Sequence, residues 1–171
     1  MTASELPIRD AVPADIPAVT SIYRHAVLNT VATLDTEEPT IESQTRWFAH
    51  HDARHPVIVA EQGSQVVGWA SLSEWSPKAG YRTTAEASVY VAPEHHDQGI
   101  GTLLLQKLIG RARTIGLHVI IARISTTNEK SIRLVERSGF AHAGTMRQVG
   151  CKFGAWVDVA TLQLTFDEPH R

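Results

Sequence analysis

Apolar residues recur along the chain at two spacings, which together predict most of its secondary structure. Over residues 15–28, Ile16, Val19 and Ile22 repeat at three-residue intervals, as on one face of a helix. Runs rich in Val and Ile predict strands instead. The predicted helices cover residues 15–28, 42–51, 102 onward and 127 or 128 to 138. The predicted strands cover residues 8–11, 56–61, 66–74, 88–92, 118–124, 140–149 and 155–166.

The resulting order, β-α-α-β-β-β-α-β-α-β-β, predicts an α/β protein with one mixed sheet and helices on its faces. The run at 118–124 is apolar at nearly every position, which is typical of a central strand. Residues 62–65 form a predicted hairpin turn between two strands. Since no repeat or linker divides the 171 residues, we predict a single domain over residues 1–171, with its core at 8–166.

The composition argues against several classes of protein. Sixteen basic and 18 acidic residues leave the chain nearly neutral, so no large nucleic-acid footprint is expected. A single cysteine, Cys151, rules out an intramolecular disulfide and fits a reducing compartment. The first ten residues lack an apolar signal core, and no uncharged apolar run approaches about 20 residues. We therefore expect a soluble, cytoplasmic protein that binds neither nucleic acid nor membrane.

A glycine-containing turn between a predicted strand and a predicted helix is a candidate binding site. The strand ends at Pro93, and the helix follows Gln98-Gly99-Ile100-Gly101. Glycines let the backbone approach a ligand, and the free N–H groups and dipole of a helix N-terminus favour an anion. An ordinary strand–turn–helix connection is the alternative interpretation.

The glycine spacing narrows the choice of anion. A dinucleotide fingerprint needs a third glycine where this chain has Leu104, and a mononucleotide P-loop needs a lysine directly after Gly101. Neither requirement is met. The pyrophosphate of coenzyme A is the candidate that remains.

Two motifs resemble the GNAT superfamily of acetyl-CoA-dependent N-acetyltransferases. The glycine motif Gln/Arg-x-x-Gly-x-Gly/Ala is matched by residues 96–101, with His96 at the first position. The second motif, an Asn followed by a helix ending in Gly-Phe/Tyr, is matched by Asn128 and Gly139-Phe140. The resemblance implies a GNAT-like fold, in which a central mixed, mostly antiparallel sheet carries helices on both faces.

Two further segments resemble the phosphinothricin and methionine sulfoximine/sulfone acetyltransferases within that superfamily. They are residues 84–91, preceded by a tryptophan loop, and residues 150–159. Residues 30–40 fit the substrate-side loop of these enzymes loosely, with Leu34 where an aromatic residue is usual. The resemblance implies direct acetyl transfer, in a ternary complex, to the α-amine of a small amino acid or analogue of the phosphinothricin, methionine sulfoximine or methionine sulfone type.

The resemblance also implies which residues bind acetyl-CoA. In relatives, the strand before the glycine loop splays from its neighbour and offers main-chain groups to the pantetheine arm and thioester. The implied cofactor-binding residues are Ala87, Ser88, Val89, Val91, His96, Asp97, Gln98, Gly99, Ile100, Gly101, Thr102, Asn128 and Ser131. Core packing is the alternative role for Val89 and Val91, and helix capping or local hydrogen bonding is the alternative for Asn128 and Ser131.

Glu86 is the candidate general base. It lies within an otherwise apolar strand, where an unpaired carboxylate is costly and burial favours proton uptake. A structural carboxylate bonded to backbone or to an arginine is the alternative. The general acid is not identified, because relatives commonly place Tyr or His where this chain has Val135. Cys151 is interpreted as a small core residue and not as a nucleophile.

An aromatic and basic loop before Glu86 is the candidate acceptor site. A cation suits a substrate carboxylate, and aromatic walls suit an apolar or polarisable side chain. Relatives often carry Arg directly after the tryptophan, where this chain has Ser76, so Lys78 or Arg82 must compensate or the acceptor differs. The candidate substrate-binding residues are Trp75, Ser76, Pro77, Lys78, Arg82, Thr84, Ala85 and Glu86. A solvated loop is the alternative.

Other functions stay open on the sequence alone. Nine histidines suggest a metal, but no Cys/Asp/His set has ligand spacing, so none is expected. Acetylation of a protein N-terminus or a polyamine is one alternative activity, and a non-catalytic acyl-CoA sensor is another. Residues 150–166 resemble a part that relatives use beside a homodimer interface, so we expect a homodimer.

Overall fold

The computed structural model describes residues 6–166, which form seven strands and four helices. The strands are β1 (Ile8–Asp10), β2 (Val57–Gln62), β3 (Gln65–Glu74), β4 (Thr84–Val91), β5 (Val119–Ser125), β6 (Ala141–Lys152) and β7 (Ala155–Thr165). The helices are α1 (Ile16–Asn29), α2 (Ile41–Ala49), α3 (Ile100–Ile115) and α4 (Glu129–Arg137). The predicted order of elements is confirmed.

The element ends differ most from the prediction at β4 and β6. β4 begins four residues before the predicted start at 88, because residues 84–87 continue the antiparallel ladder with β3 despite the charge of Glu86. β6 continues to Lys152 instead of ending at 149, since its pairing with β7 resumes at Gly150 after an irregular stretch.

All seven strands lie in one sheet, in the order β1-β2-β3-β4-β5-β7-β6. The β4–β5 pair is parallel, and the other five neighbouring pairs are antiparallel. The mixed, mostly antiparallel sheet implied by the resemblance is therefore confirmed. The apolar run predicted as a central strand is β5, which lies between β4 and β7.

Helices cover both faces of the sheet, as expected. On one side, named here the α3 face, Leu104, Leu105 and Leu108 are almost completely buried in the main core, together with residues from α4. On the other side, the α1 face, Val19 and Ile22 pack in a second cluster that includes aromatic residues from α2 and the sheet. Because strand side chains alternate between faces, β2, β3 and β4 contribute residues to both clusters.

Within residues 6–166, no helix is long and apolar enough to cross a membrane.

Candidate active site

Parallel strands β4 and β5 separate part of the way along their length. β4 pairs with β5 only from Thr84 to Glu86, opposite residues 119–121. Beyond Glu86, β4 continues its ladder with β3, and β5 continues its ladder with β7. The main chain of residues 87–91 thus has one edge without a strand partner, and an extended ligand can hydrogen-bond to such an edge.

The side chains of Val89 and Val91 do not occupy this gap. They point to the α3 face, where they pack against the core and lie near Gly101 at the start of α3. Both interpretations of these valines are therefore compatible: the side chains pack in the core, while the main chain borders the gap. Ser88 alternates with them and points to the α1 face, beside its β3 partner Ser71.

The N-terminus of α3 has the geometry of an anion site. Gly99 is the N-cap residue with a φ of 81°, and no side chain caps the helix. The N–H groups of the first turn have no carbonyl acceptor within the helix. Because no side chain caps them either, they are available to hydrogen-bond a ligand. A Cβ at Gly101 would lie 3.0 Å from Leu134 Cδ1, so a larger residue there would require the Leu134 side chain to shift. The gap and the adjacent helix N-terminus together fit an extended ligand that carries a pyrophosphate.

The polar side chains of the turn are engaged within the protein. His96 Nε2 lies 2.9 Å from the Val91 carbonyl oxygen, and Gln98 Nε2 donates to the Glu94 carbonyl at 3.2 Å. Asp97 accepts hydrogen bonds from Lys130 at 2.8 and 2.9 Å, and this contact lowers the pKa of Asp97. The turn therefore presents main chain to a ligand more readily than these side chains.

Asn128 caps α4. Its Oδ1 accepts a hydrogen bond from the Ser131 backbone N–H at 3.3 Å, which is the capping role that the sequence left open. A contact from Asn128 or Ser131 to a cofactor stays a prediction.

Glu86 is paired with an arginine, as its alternative structural interpretation allowed, and the sequence alone did not show that this arginine is Arg123. Arg123 Nε donates to Glu86 Oε1 at 2.6 Å, and Arg123 Nη2 donates to Oε2 at 2.7 Å. Glu86 pairs in register with Ile121, so Arg123 lies two residues further along β5 on the same α1 face. The signal was present in the sequence, because Arg123 is the one charged residue among residues 119–125.

This ion pair lies where β4 and β5 separate. The Glu86 side chain is 21% exposed and the Arg123 side chain 47% exposed, so solvent and ligands can reach both. The Arg123 guanidinium also lies over the Trp75 ring, 5.5 Å from its centroid. The structure thus places Trp75 against Arg123, the ion-pair partner of Glu86, and a substrate contact of Trp75 stays a prediction.

The rest of the loop before β4 is more peripheral. Pro77, Lys78 and Arg82 are exposed, while Ser76 and Thr84 are partly buried. Ala85 is fully buried in the core on the α3 face, because strand alternation turns it away from the Glu86 side. The Ala85 side chain therefore lies away from the α1 face, and a substrate contact through its main chain stays a prediction.

The loop at residues 30–40 contacts α1 on the α1 face, and its role on the substrate side stays a prediction. Tyr23 Oη donates to Asp35 Oδ2 at 2.5 Å and lies 3.1 Å from Thr33 Oγ1. Tyr23 makes an edge-to-face contact with Tyr90 of β4, with ring centroids 5.1 Å apart. Burial raises the pKa of both phenols, that of Tyr90 to about 12, so both stay protonated near neutral pH.

The same loop is held from its other side by the hairpin of β6 and β7. Lys152 is 3% exposed, and its Nζ donates to the Thr33 carbonyl oxygen at 2.7 Å. Gly150 packs so closely on Leu34 that a Cβ at position 150 would collide with Leu34 Cδ1. Sequence reasoning missed Lys152, since a lysine in an edge strand is ordinarily solvated.

An open cavity of about 540 Å³ lies between this loop, α1 and α2. Its lining includes Tyr23 and three carboxylates, those of Asp35, Glu37 and Glu38. Glu38 is ion-paired with Arg24 at 2.7 Å. The cavity is thus polar and mainly acidic.

Val135 lies in the core and Cys151 lies on the surface. Val135 is 6% exposed and belongs to the main core, so position 135 offers no proton donor. Cys151 is exposed, and its interpretation as a core residue is wrong. On strand β6, alternation buries Lys152 and turns Cys151 outward.

The histidines near α2 make local contacts. His51 Nδ1 lies 2.9 Å from the Trp47 carbonyl oxygen, and its Nε2 lies 3.2 Å from Ser73 Oγ. Burial lowers the pKa of His51, which favours the neutral ring. Within the described part of the chain, no group of three or more His, Cys, Asp or Glu residues is placed to hold a metal ion.

Comparison with known proteins places this geometry in a family. Residues 19–140 match the model of the acetyltransferase (GNAT) family. The L-methionine sulfoximine/L-methionine sulfone acetyltransferase of Salmonella typhimurium (strain LT2) is 43% identical over 162 residues, which cover 94% of this chain and 95% of that relative.

Two solved structures that contain acetyl-CoA are also similar. The putative acetyltransferase yncA from Salmonella typhimurium has a TM-score of 0.93 and 41% identity, covering 98% of this chain and 97% of its own. A phosphinothricin acetyltransferase from Sinorhizobium meliloti has a TM-score of 0.89 and 36% identity, covering 94% and 88% respectively. The predicted resemblance is confirmed, and acetyl-CoA is supported as the acetyl donor. The chain belongs to the acetyltransferase (GNAT) family of N-acetyltransferase enzymes.

Proposed function

We propose that this enzyme transfers an acetyl group from acetyl-CoA to the α-amine of a small amino acid or analogue of the methionine sulfone, methionine sulfoximine or phosphinothricin type. The observation that carries the proposal is the position of Glu86, where β4 leaves β5. There a carboxylate borders both the gap, which fits the donor, and the α1 face, which carries the acceptor loops. The names of two relatives, a methionine sulfoximine/sulfone acetyltransferase and a phosphinothricin acetyltransferase, support the acceptor class.

The donor is proposed to lie along the free edge of β4. Main-chain groups of residues 87–91 would bind its pantetheine arm, and the turn at residues 96–102 would bind its pyrophosphate. Asn128 and Ser131 at the start of α4 complete the proposed cofactor-binding set. When bound, acetyl-CoA supplies the acetyl group as an activated thioester.

Glu86 is proposed to prepare the amine. An α-ammonium has no lone pair, so it must lose a proton before its nitrogen can attack the thioester carbonyl carbon. Glu86 takes that proton, directly or through a water. The new C–N bond then forms as the C–S bond breaks, the sulfur leaves with the electron pair, and the second amine proton ends on the thiol or in solvent. Backbone N–H groups of β4 stabilise the negative charge that develops on the carbonyl oxygen.

The acceptor is proposed to lie on the α1 face between two loops. Trp75 of the first loop packs on Arg123 beside Glu86. Residues 33–35 of the second loop contact Tyr23, which in turn contacts Tyr90. Aromatic walls on this face suit the side chain of a small amino acid. Ser76, Pro77, Lys78, Arg82 and Thr84 form the proposed rim of the site.

The enzyme is further proposed to be a cytoplasmic homodimer. β6 is an edge strand, and the β6–β7 hairpin exposes Met146, Val149, Phe153 and Trp156. We propose that a second copy of the chain covers this surface, because a symmetric dimer would bury the apolar surface of both protomers in one interface. The exposed thiol of Cys151 fits a reducing compartment.

One experiment separates this function from its alternatives. Purified enzyme is mixed with acetyl-CoA and a panel of amines, and the released thiol of CoA is measured. We expect release with free amino acids of the methionine sulfone class and little with polyamines or peptide N-termini. Thiol release with polyamines or peptides only would refute the proposed acceptor class. Binding of acetyl-CoA with no thiol release in the presence of any amine would identify a sensor.

A further inference from the structure

Arg123 has hydrogen-bonding capacity beyond its pair with Glu86. A guanidinium carries five N–H donors, of which Glu86 uses one on Nε and one on Nη2. Within the described residues, the other three donors have no hydrogen-bond partner. Since the side chain is 47% exposed and its plane is supported by Trp75, these donors form a positioned, accessible cationic edge.

The Glu86–Arg123 pair is complementary in charge to an α-amino acid. A free amino acid carries an ammonium and a carboxylate on one carbon atom, so the two charges lie close together. The pair presents the opposite charges side by side, an anion on β4 and a cation on β5. An amino acid placed with its ammonium on Glu86 and its carboxylate on Arg123 would neutralise both, and it would bring its amine to the gap.

We propose that Arg123 is the specificity-determining residue of the acceptor site and that it binds the α-carboxylate of the amino acid while Glu86 binds the α-ammonium. The inference rests on the proposed amino-acid acetyltransferase function. It replaces the sequence-based expectation that Lys78 or Arg82 supplies the cation. The planar fork of an arginine matches a carboxylate better than the point charge of a lysine does.

The position of Arg123 favours it over the two loop residues. Arg123 donates two hydrogen bonds to Glu86, whereas the side chains of Lys78 and Arg82, on the loop before β4, make no hydrogen bond or ion pair with Glu86 among the described residues. The residue directly after Trp75 is Ser76, which carries no charge to compete for the carboxylate. Arg123 would also disfavour polyamines, because the guanidinium repels a substrate that carries only positive charges.

The test compares L-methionine sulfone with its carboxamide, which keeps the amine and the side chain but lacks the carboxylate. Calorimetry measures the binding of each to the CoA-saturated enzyme, and steady-state kinetics measure kcat/KM. The variants are Arg123→Gln, which removes the charge, and Arg123→Lys, which keeps it without the fork. Arg111→Gln is the matched control, since Arg111 is also a half-exposed arginine paired with a carboxylate, that of Asp10.

We expect Arg123→Gln to weaken the binding of the free acid by about tenfold to a hundredfold and to change amide binding by less than about threefold. Arg123→Lys should fall between wild type and Arg123→Gln. CoA affinity should stay the same in all variants, and so should the acid-to-amide ratio of Arg111→Gln. Thermal unfolding identifies any variant that fails to fold. If Arg123→Gln does not fold, the acid-to-amide ratio of Arg123→Lys is compared with that of wild type.

Two results would overturn the proposal in distinguishable ways. If wild type prefers the acid but Arg123→Gln keeps that preference while Lys78→Ala or Arg82→Ala loses it, the loop binds the carboxylate and only this inference fails. If wild type binds and acetylates the amide as well as the acid, no residue binds the carboxylate and the proposed acceptor class fails as well.

Discussion

Lys152 Nζ donates a 2.7 Å hydrogen bond to the Thr33 carbonyl oxygen, although 119 positions separate the two residues. The bond joins the β6–β7 hairpin to the loop at residues 30–40, on the proposed acceptor side of the enzyme. We expect Lys152→Met, which keeps the length of the side chain, to free the loop and raise the KM for the amino acid several-fold. Acetyl-CoA affinity, measured by calorimetry, should stay the same. An unchanged KM would mean that the loop holds its position without this bond.

The same lysine predicts a pH dependence of stability. Burial lowers the pKa of Lys152 below its ordinary value of 10.5, so the unfolded chain binds more protons than the folded chain between the two pKa values. The free energy of unfolding of wild type, relative to that of Lys152→Met, should therefore rise with pH across this interval. Urea denaturation of both proteins between pH 7 and 10.5 measures the difference, and a flat or falling difference would contradict the assignment.

Gly99 and Gly116 permit a controlled test of the cofactor site. Both lie at ends of α3 with nearly the same backbone conformation, φ of 81° and 82°. Alanine at either position should cost about 1–2 kcal/mol of stability, because an L side chain disfavours this region. Only Gly99→Ala should also lose acetyl-CoA affinity, since Gly99 alone lies at the proposed pyrophosphate site. Equal CoA affinities of the two variants would refute that site.

The local pattern of the sequence predicts the elements of this fold well and the pairing of distant side chains poorly. Residues such as Val19 and Leu104 are placed by periodicity alone, because a helix face repeats every three or four residues. Arg123 and Lys152 are different, since their partners depend on which strands become neighbours and in what register. Glu86 could be identified as an unusual charge in an apolar strand, but its partner became evident only when β4 and β5 were paired.

Asp15 is expected to contribute stability that acid removes. Its carboxylate accepts hydrogen bonds from Arg9 at 2.7 and 2.8 Å and from the Val12 backbone N–H, and these contacts lower its pKa. Asp15→Asn should cost about 1–3 kcal/mol at neutral pH. Because the folded-state pKa is depressed, the contribution is complete above the ordinary value of 3.8 and declines as the pH falls below it.

An exposed pair on α2 provides the control for Asp15. Glu42 is ion-paired with Arg46 on the helix surface, with 82% of the Glu42 side chain exposed. Glu42→Gln should change stability by less than about 0.5 kcal/mol. Chemical denaturation at pH 7 and at pH 3 compares both variants with wild type, and equal effects of the two substitutions would contradict the prediction.

If the proposed dimer forms through the β6–β7 hairpin, substitution of Trp156 should lower the mass of the assembly in solution. Its side chain is 69% exposed in a single chain, so Trp156→Ser should leave the monomer folded and weaken the association of two copies. Val12→Ser is the control, because Val12 is exposed and follows β1, at the opposite edge of the sheet from β6. Light scattering at micromolar concentration should give a dimer mass for wild type and control. A monomer mass for wild type would refute the homodimer.

Glu86→Gln tests whether the carboxylate acts in the reaction or only holds Arg123. Glutamine keeps the shape of the side chain but accepts no proton at neutral pH, so kcat should fall by about a hundredfold or more while CoA affinity is retained. Glu61→Gln is a matched control, since Glu61 is also paired with an arginine and is 25% exposed against 21% for Glu86. Both substitutions weaken an ion pair, but only Glu86 is proposed to accept the amine proton. Stopped-flow or steady-state rates that fall equally in both variants, or that persist in Glu86→Gln, would make Glu86 a structural partner of Arg123 and not the base.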